Sequence, residues 1–177
     1  AGITSADQSK PGQRVFMDHF VSSARGRKFT GRGIRHPQSK RTRGGPAESY
    51  EGGCIFVDAS TGFTHVEHQS FLNSAETILA VERFEAIARD NGIIVTGYQS
   101  DNGSCFTSKA FKHHLTAQGQ TIRFSSAGSH HQNGRAERSI RTIMAMARTM
   151  LLHSAIHWPD CADASLWTLS VRHAVWI

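Results

Sequence analysis

Several features are scarce in this chain of 177 residues, and each scarcity excludes a class of protein. Its three cysteines are an odd number without paired spacing, which argues against a disulfide framework and favours a reducing compartment. No stretch of about 18 consecutive apolar residues occurs, so we expect no membrane-spanning helix and no membrane partner. The N-terminal region lacks the apolar core of a signal peptide. A Walker phosphate-binding motif is also absent, so nothing indicates ATP-driven chemistry.

Acidic residues are missing from one long segment. Between Arg25 and Arg43 there are eight basic residues and no acid, so this segment accounts for the net charge of +6 and the rest of the chain sums to −2. The segment is rich in Gly and Ser and has no periodicity, which predicts a basic insertion at about residues 24–46. We expect it to bind nucleic-acid phosphates, with a merely solvated insertion as the alternative. Its basic residues are Arg25, Arg27, Lys28, Arg32, Arg35, Lys40, Arg41 and Arg43.

Two acidic residues stand where active-site acids are expected. Asp101 closes an apolar run and opens onto Asn102-Gly103, so we place it where a buried strand ends and a turn begins. Such strand ends are where the active sites of open α/β sheets gather. Glu137 follows the turn signal at 132–134 and begins a long helical pattern, with 35 residues between it and Asp101. The two acids are therefore candidate metal ligands.

A third acid could come from Asp7, Asp18 or Asp58. Asp18 lies in the middle of an apolar strand pattern, where burying a charge is costly unless it is paired or binds a metal. Asp58 has an ordinary alternative role, because an aspartate at the mouth of a hairpin commonly bonds its own turn. Asp7 belongs to a polar lead-in at residues 1–14. We therefore favour Asp18 as the third ligand.

Three stretches together resemble the integrase catalytic core of copia-type long-terminal-repeat retrotransposons, in the retroviral-integrase-like superfamily. They are Ser100–Gly103, His131–Arg138 and Trp158–Ala174, and they follow in that family's order. The similarity extends from about Val15 to the end of the chain. The Asn-Gly-x-Ala-Glu-Arg piece by itself also occurs in retroviral integrases and in some insertion-sequence transposases.

The resemblance implies an α/β RNase H-like fold, with a mixed five-stranded sheet flanked by helices, over residues 15–177. It implies a DNA integrase in which a DNA 3′-hydroxyl, or water, attacks a phosphodiester in line. The catalytic and metal residues would be Asp18, Asp101 and Glu137. Their carboxylates suit Mg²⁺ or Mn²⁺, because hard cations prefer oxygen ligands. Two ions are expected, because one can activate the attacking oxygen while the other stabilises the leaving oxygen. The partners would be the element's DNA ends, target DNA and further copies of the chain.

The resemblance also indicates further DNA contacts and a location. The additional contact residues would be His131, Asn133, Arg138, Arg141 and Arg148. We expect nuclear localisation with a stage in cytoplasmic virus-like particles. We also expect the C-terminal end to be truncated, because the sequence stops within an apolar helical segment.

The local patterns predict three strands, a helix, a strand, a helix, a strand and then helices. The strands are expected at Val15–Val21, Gly53–Asp58, Phe63–His68, Ile93–Gln99 and Gln120–Ser125. The three tryptophans, Trp158, Trp167 and Trp176, are interpreted as core residues. His153, His157 and Cys161 recur at helical spacing, but Pro159 interrupts the helix and disfavours a zinc cluster.

Two alternatives to an integrase remain open. One is a catalytically decayed module that binds nucleic acid or acts as a scaffold. The other is a different enzyme of the same fold, an RNase H-like nuclease or an insertion-sequence transposase. Retention of three candidate acids favours an enzyme, and the Asn-Gly-x-Ala-Glu-Arg piece favours an integrase over a nuclease.

Overall fold

The computed structural model describes residues 9–28, 49–125 and 134–177. The strands are β1 (Val15–Arg27), β2 (Ser49–Asp58), β3 (Thr64–Gln69), β4 (Gly97–Ser100) and β5 (Thr121–Phe124). The helices are α1 (Ser74–Asp90), α2 (Ser104–Thr107), α3 (Lys109–Ala117), α4 (Gly134–His157) and α5 (Trp167–Trp176). A single turn of 3₁₀ helix, Ala164–Leu166, leads into α5.

The five strands form one mixed sheet in the order β3-β2-β1-β4-β5. β2 pairs antiparallel with both β1 and β3, whereas β4 pairs parallel with both β1 and β5. Parallel neighbours need a crossover connection, and α1 and α3 supply the helices of the two crossovers. The mixed five-stranded sheet predicted from the sequence is confirmed.

The sheet separates two hydrophobic cores because successive side chains of a strand point to opposite faces. On one face, Val15 and Met17 of β1 pack in a cluster with residues of α1 and α3. On the other face, Phe16 and Phe20 pack in a cluster with residues of α4 and α5. Alternation along β1 therefore assigns each of its residues to one of the two layers.

Local signals define α1 as the sequence predicts. The Asn73 side chain accepts a hydrogen bond from the Glu76 backbone N–H at 2.9 Å, which caps the first turn. At the other end the chain turns through Gly92 with φ of 73°, a left-handed conformation that favours glycine.

Two strand lengths differ from the prediction. β4 begins only at Gly97: the backbone N–H of Thr96 donates to the Gly12 carbonyl at 2.8 Å, although the Thr96 carbonyl still accepts from the Thr121 N–H of β5 at 3.1 Å. β1 continues to Arg27 through a register shift between Val21 and Gly26, so the first residues of the predicted insertion are strand.

The insertion itself, residues 29–48, lies outside the described part of the chain, as do Asp7 and the loop at 126–133. Within the three described ranges, none of the helices combines the length and apolarity needed to cross a membrane.

Candidate active site

Asp18 lies in the middle of β1, between Phe16 and Phe20 on the face covered by α4. It is half-buried, and its Oδ1 accepts a hydrogen bond from the backbone N–H of His19 at 2.8 Å. The pKa of Asp18 is raised to about 7: burial is the largest cause, the charges of Asp101 and Glu137 also raise it, and the hydrogen bond from the His19 N–H lowers it. The negative charges of the other two candidate acids thus disfavour the ionised form of the half-buried Asp18 carboxyl group.

Asp101 follows β4, and the strand register brings it beside Asp18. β1 and β4 run parallel with Val15 opposite Tyr98 and Phe16 opposite Gln99, so continuing the register sets Asp18 level with Asp101. Asp101 is exposed, and its Oδ1 accepts from the Gly103 backbone N–H at 3.0 Å. The carboxylate therefore caps its own turn at the sheet edge.

Asn102 ties this turn to the neighbouring strand. Its Nδ2 donates to the carbonyl of Ser125, immediately after β5, at 2.8 Å. Ser125 is itself joined to the end of β4, since its backbone N–H donates to the Ser100 carbonyl at 2.9 Å. The ends of β4 and β5 are thereby clamped together directly beneath Asp101.

Glu137 lies in the first turn of α4 and is half-buried. A carboxylate is favoured there because the unpaired N–H groups of a helix N-terminus carry partial positive charge. Two residues earlier, the Arg135 guanidinium donates to the Ala59 carbonyl and lies 5.7 Å from the centre of the Phe16 ring. The start of α4 is thus fastened to the sheet near β1, which carries Asp18.

The three acids come from β1, from the turn after β4 and from α4, and they share one electrostatic site. Their carboxylate oxygens are the hard donors that Mg²⁺ and Mn²⁺ prefer, and their mutual repulsion is the condition that a cation relieves. Among the described residues, however, no three His, Cys, Asp or Glu side chains already stand in an arrangement that could hold an ion. Charges act over longer distances than coordination bonds, so the carboxylates can influence one another's pKa without standing at coordination distance from a common point.

Asp58 has the turn-forming role expected of it. Its Oδ1 accepts from the Gly12 N–H at 2.9 Å, and its Oδ2 accepts from the backbone N–H and hydroxyl of Thr61, both at 2.8 Å. The side chain is buried and both oxygens are engaged, so Asp58 holds the β2–β3 hairpin against the turn that precedes β1.

Of the basic segment, the structure describes only the N-terminal residues, which include three of the eight basic side chains. Arg25 is exposed on β1. Arg27 differs from the expectation of a free phosphate contact, because its guanidinium pairs with Asp163 and donates to Ser165. Lys28 lies over the Tyr50 ring, 5.6 Å from its centre. The other predicted contacts, Arg32, Arg35, Lys40, Arg41 and Arg43, lie outside the described residues.

A stripe of arginines continues from the glutamate along α4. At about 100° per residue, Glu137, Arg141 and Arg148 fall within an arc of about 40°, and Arg138 lies about 60° beyond that arc. All three arginines are exposed. His131 and Asn133, predicted to contact DNA from the preceding loop, lie outside the described residues.

Two interpretations of aromatic and histidine residues can be compared with the structure. Of the three tryptophans, only Trp167 is a core residue; Trp158 is 60% exposed and Trp176 84% exposed, so the core interpretation is wrong for these two. Both residues lie at or just beyond the end of a helix, where the sequence pattern does not indicate whether a side chain is buried. His153 and His157 face each other on α4, but Cys161 follows in a turn and completes no three-residue metal cluster within the described chain.

Sequence reasoning did not single out His19 or Phe106 as residues of the site. Their rings stack with centroids 4.5 Å apart and planes 16° apart, joining β1 to α2. The available signal was a histidine adjacent to a candidate catalytic acid within a strand pattern.

Comparisons with known proteins find a distantly similar sequence. The chain is 26% identical to the Pro-Pol polyprotein of feline foamy virus over 130 residues, which are 73% of this chain and 11% of the polyprotein. The chain thus spans about a tenth of the length of that relative. No family model matches the chain.

Solved structures show the same fold. The HTLV-2 integrase catalytic core domain in complex with magnesium, in its dimeric form, is similar with a TM-score of 0.60 and 18% identity, over 94% of this chain and 85% of that one. Its trimeric form gives a TM-score of 0.59 and 17% identity, over 94% and 84% of the two chains. A simian T-cell lymphotropic virus intasome gives 0.60 and 16%, over 91% and 47%. The chain therefore has the RNase H-like fold of these integrase catalytic cores, and its sequence is distantly similar to a retroviral Pro-Pol polyprotein.

Proposed function

We propose that this chain is the catalytic core of a DNA integrase from a copia-type retrotransposon. The observation that carries the proposal is the environment of Asp18, whose charged form is opposed by both Asp101 and Glu137 within an integrase-type fold. The three carboxylates come from three separate elements, and the charges of two of them act on the third. A purely structural domain has no reason to bring three like charges together, since doing so costs stability.

Asp18, Asp101 and Glu137 are the residues that would hold Mg²⁺ or Mn²⁺. When bound, two such ions can activate the attacking oxygen and stabilise the leaving oxygen of an in-line displacement. Asp18 is half-buried on the face of β1 that α4 covers. Asp101 supplies an exposed carboxylate whose turn is clamped by Asn102, and Glu137 adds a third from the first turn of α4.

The chain's own residues would bind and orient the DNA. The exposed stripe of Arg138, Arg141 and Arg148 begins beside Glu137, so a phosphate backbone laid along α4 would pass over the acids. Such contacts position DNA without reading its bases. The basic insertion, which emerges between β1 and β2, would provide a second, sequence-independent phosphate contact.

The proposal includes assembly of several copies, in the nucleus, on element ends and target DNA. Large apolar side chains are exposed on α4 and at the end of α5, including Ile156 at 75% and Trp176 at 84%. Exposed apolar surface of this kind is typical of protein interfaces. The HTLV-2 core described in dimeric and trimeric forms supports the same expectation. Light scattering of the purified chain tests it directly.

The decisive experiment is a strand-transfer assay with Mn²⁺ or Mg²⁺ and a DNA duplex carrying the element's terminal sequence. The wild-type chain should join the 3′ end to target DNA, whereas Asp101→Asn and Glu137→Gln should lower joining by at least about a hundredfold, because each removes one metal-ligand charge. Asp90→Asn, an exposed acid at the end of α1, is the matched control and should leave joining unchanged.

The alternatives give different results in the same assay. Metal-dependent cleavage without joining would identify a nuclease, and DNA binding without either reaction would identify a scaffold module. Full strand transfer by Asp101→Asn would show that the metal site has been assigned to the wrong residues.

A further inference from the structure

His19 is adjacent to Asp18 on β1, and its side chain lies on the opposite face of the sheet. There its ring stacks on Phe106, and its Nε2 lies 3.1 Å from the Thr77 hydroxyl oxygen. The Thr77 hydroxyl donates its own hydrogen to the Asn73 carbonyl at 2.7 Å, so it accepts from the His19 Nε2–H. The imidazole is therefore held by a hydrogen bond to α1 on one side and by an aromatic stack with α2 on the other.

Phe106 connects this ring to the turn that carries Asp101. Phe106 is 1% exposed and belongs to α2, which begins three residues after Asp101. Its ring lies directly behind Gly103, where a Cβ atom would come within 3.4 Å of the ring and 3.0 Å of the Asp101 Oδ1. The Gly103 N–H also donates to that same oxygen. The aromatic ring, the glycine and the carboxylate thus form one packed unit.

The state of the imidazole suits a packing role. Burial lowers the pKa of His19 to about 4, against the opposing effect of the Asp101 charge, so the ring is neutral near pH 7. A neutral imidazole stacks on Phe106 as an aromatic group and donates one N–H to Thr77. It adds no positive charge that would compete with a cation for the carboxylates.

We propose that His19 is a positioning residue for two proposed metal ligands at once: its backbone is part of the Asp18 hydrogen bond, and its ring, through Phe106, supports the turn of Asp101. This inference rests on the proposed metal-dependent function. Asp18 lies in β1 and Asp101 in the turn after β4, and within the described chain the His19–Phe106 stack joins that strand to α2, which directly follows that turn. Loosening it should let the two carboxylates move relative to each other. Residues that orient metal ligands in this way typically contribute ten- to a hundredfold in metal affinity.

The test separates the ring from its hydrogen bond. His19→Gln keeps a side-chain donor for Thr77 but loses the stack, whereas His19→Phe keeps the stack but loses the donor. Leu115→Val, in α3 within the same hydrophobic core, is the control for a general loss of packing. The Mg²⁺ concentration that gives half of the maximal thermal shift is measured for each full-length protein. Amide hydrogen exchange at Gly103 is measured without metal.

In His19→Gln, the half-saturating Mg²⁺ concentration should rise about tenfold and the Gly103 amide should exchange about tenfold faster. In His19→Phe both quantities should stay within about threefold of the wild type, and Leu115→Val should match the wild type in both. Phe106→Leu, which removes the stack from the other side, should reproduce His19→Gln and serves if that variant fails to fold.

An unchanged Mg²⁺ requirement in the two stack-breaking variants would overturn this inference alone. An equal rise in Leu115→Val would overturn it too, because the effect would then reflect general stability. A wild-type protein with no Mg²⁺ response at all would overturn the proposed function, and this inference with it.

Discussion

Replacing Asp18 by Asn should stabilise the metal-free protein while abolishing strand transfer. The carboxylate is opposed by burial and by the charges of Asp101 and Glu137. Asparagine has nearly the same shape, and its Oδ1 can still accept the hydrogen bond from the His19 N–H. The substitution therefore removes the unfavourable charge and keeps the favourable contact.

The magnitude follows from the pKa of Asp18, which rises from the ordinary 3.8 to about 7 in the folded protein. A shift of about three units, at about 1.36 kcal/mol each, corresponds to roughly 4 kcal/mol as a ceiling. Asp18 is only half-buried, so solvent screening reduces the expected gain in unfolding free energy to about 1–3 kcal/mol. Even the lower value exceeds the error of a denaturation measurement.

The gain should depend on pH in one direction. Below about pH 3.8 the carboxyl group is protonated in both the folded and the unfolded chain, so the wild type and the variant should be equally stable. Between about pH 3.8 and pH 7 the folded wild type binds more protons than the unfolded chain, and its stability falls as pH rises. Above about pH 7 the full penalty is present, so the advantage of Asp18→Asn should be largest near pH 8.

Urea denaturation at pH 5 and pH 8, with and without Mg²⁺, measures each of these quantities. Mg²⁺ should stabilise the wild type at pH 8 by mass action and leave Asp18→Asn unchanged. Asp90→Asn controls for the loss of one negative charge at an exposed site. The reasoning would be refuted if Asp18→Asn were no more stable than the wild type at pH 8 without metal, or if its gain were the same at both pH values.

Two further predictions test residues outside the three acids. Asp58→Asn should lower the unfolding free energy by about 1–3 kcal/mol, because the amide has one acceptor oxygen whereas Asp58 uses two. Strand transfer per folded molecule should persist. If joining were lost while stability stayed unchanged, the metal site would have to include the hairpin. Replacing three cations of the basic insertion by Ser should make the slope of log K against log salt on duplex DNA less steep by about 0.9 per lost contact, and an unchanged slope would reduce the insertion to a solvated loop. These cations are Lys40, Arg41 and Arg43.

The sequence by itself determined the features that depend on short-range order. An apolar run followed by Asn102-Gly103 placed Asp101 just after a strand, and the structure has β4 ending at Ser100. The helical period after residue 133 predicted α4 with Glu137 in its first turn. Capping, turn formation and amphipathic periodicity are set by residues only a few positions apart, so they can be read without knowledge of the fold.

The tertiary structure alone decided which distant residues meet. The parallel pairing of β1 with β4 sets Asp18 level with Asp101. Because side chains alternate between the two faces of a strand, His19 lies on the opposite face of the sheet from Asp18, where its ring stacks on Phe106. The ion pair of Arg27 with Asp163 likewise joins residues far apart in the chain, so a cation counted as part of the basic segment also has a partner within the protein. Strand order, register and long-range packing depend on contacts between segments that are far apart in the sequence. No local pattern indicates these contacts, because they form and contribute energy only when the sheet assembles.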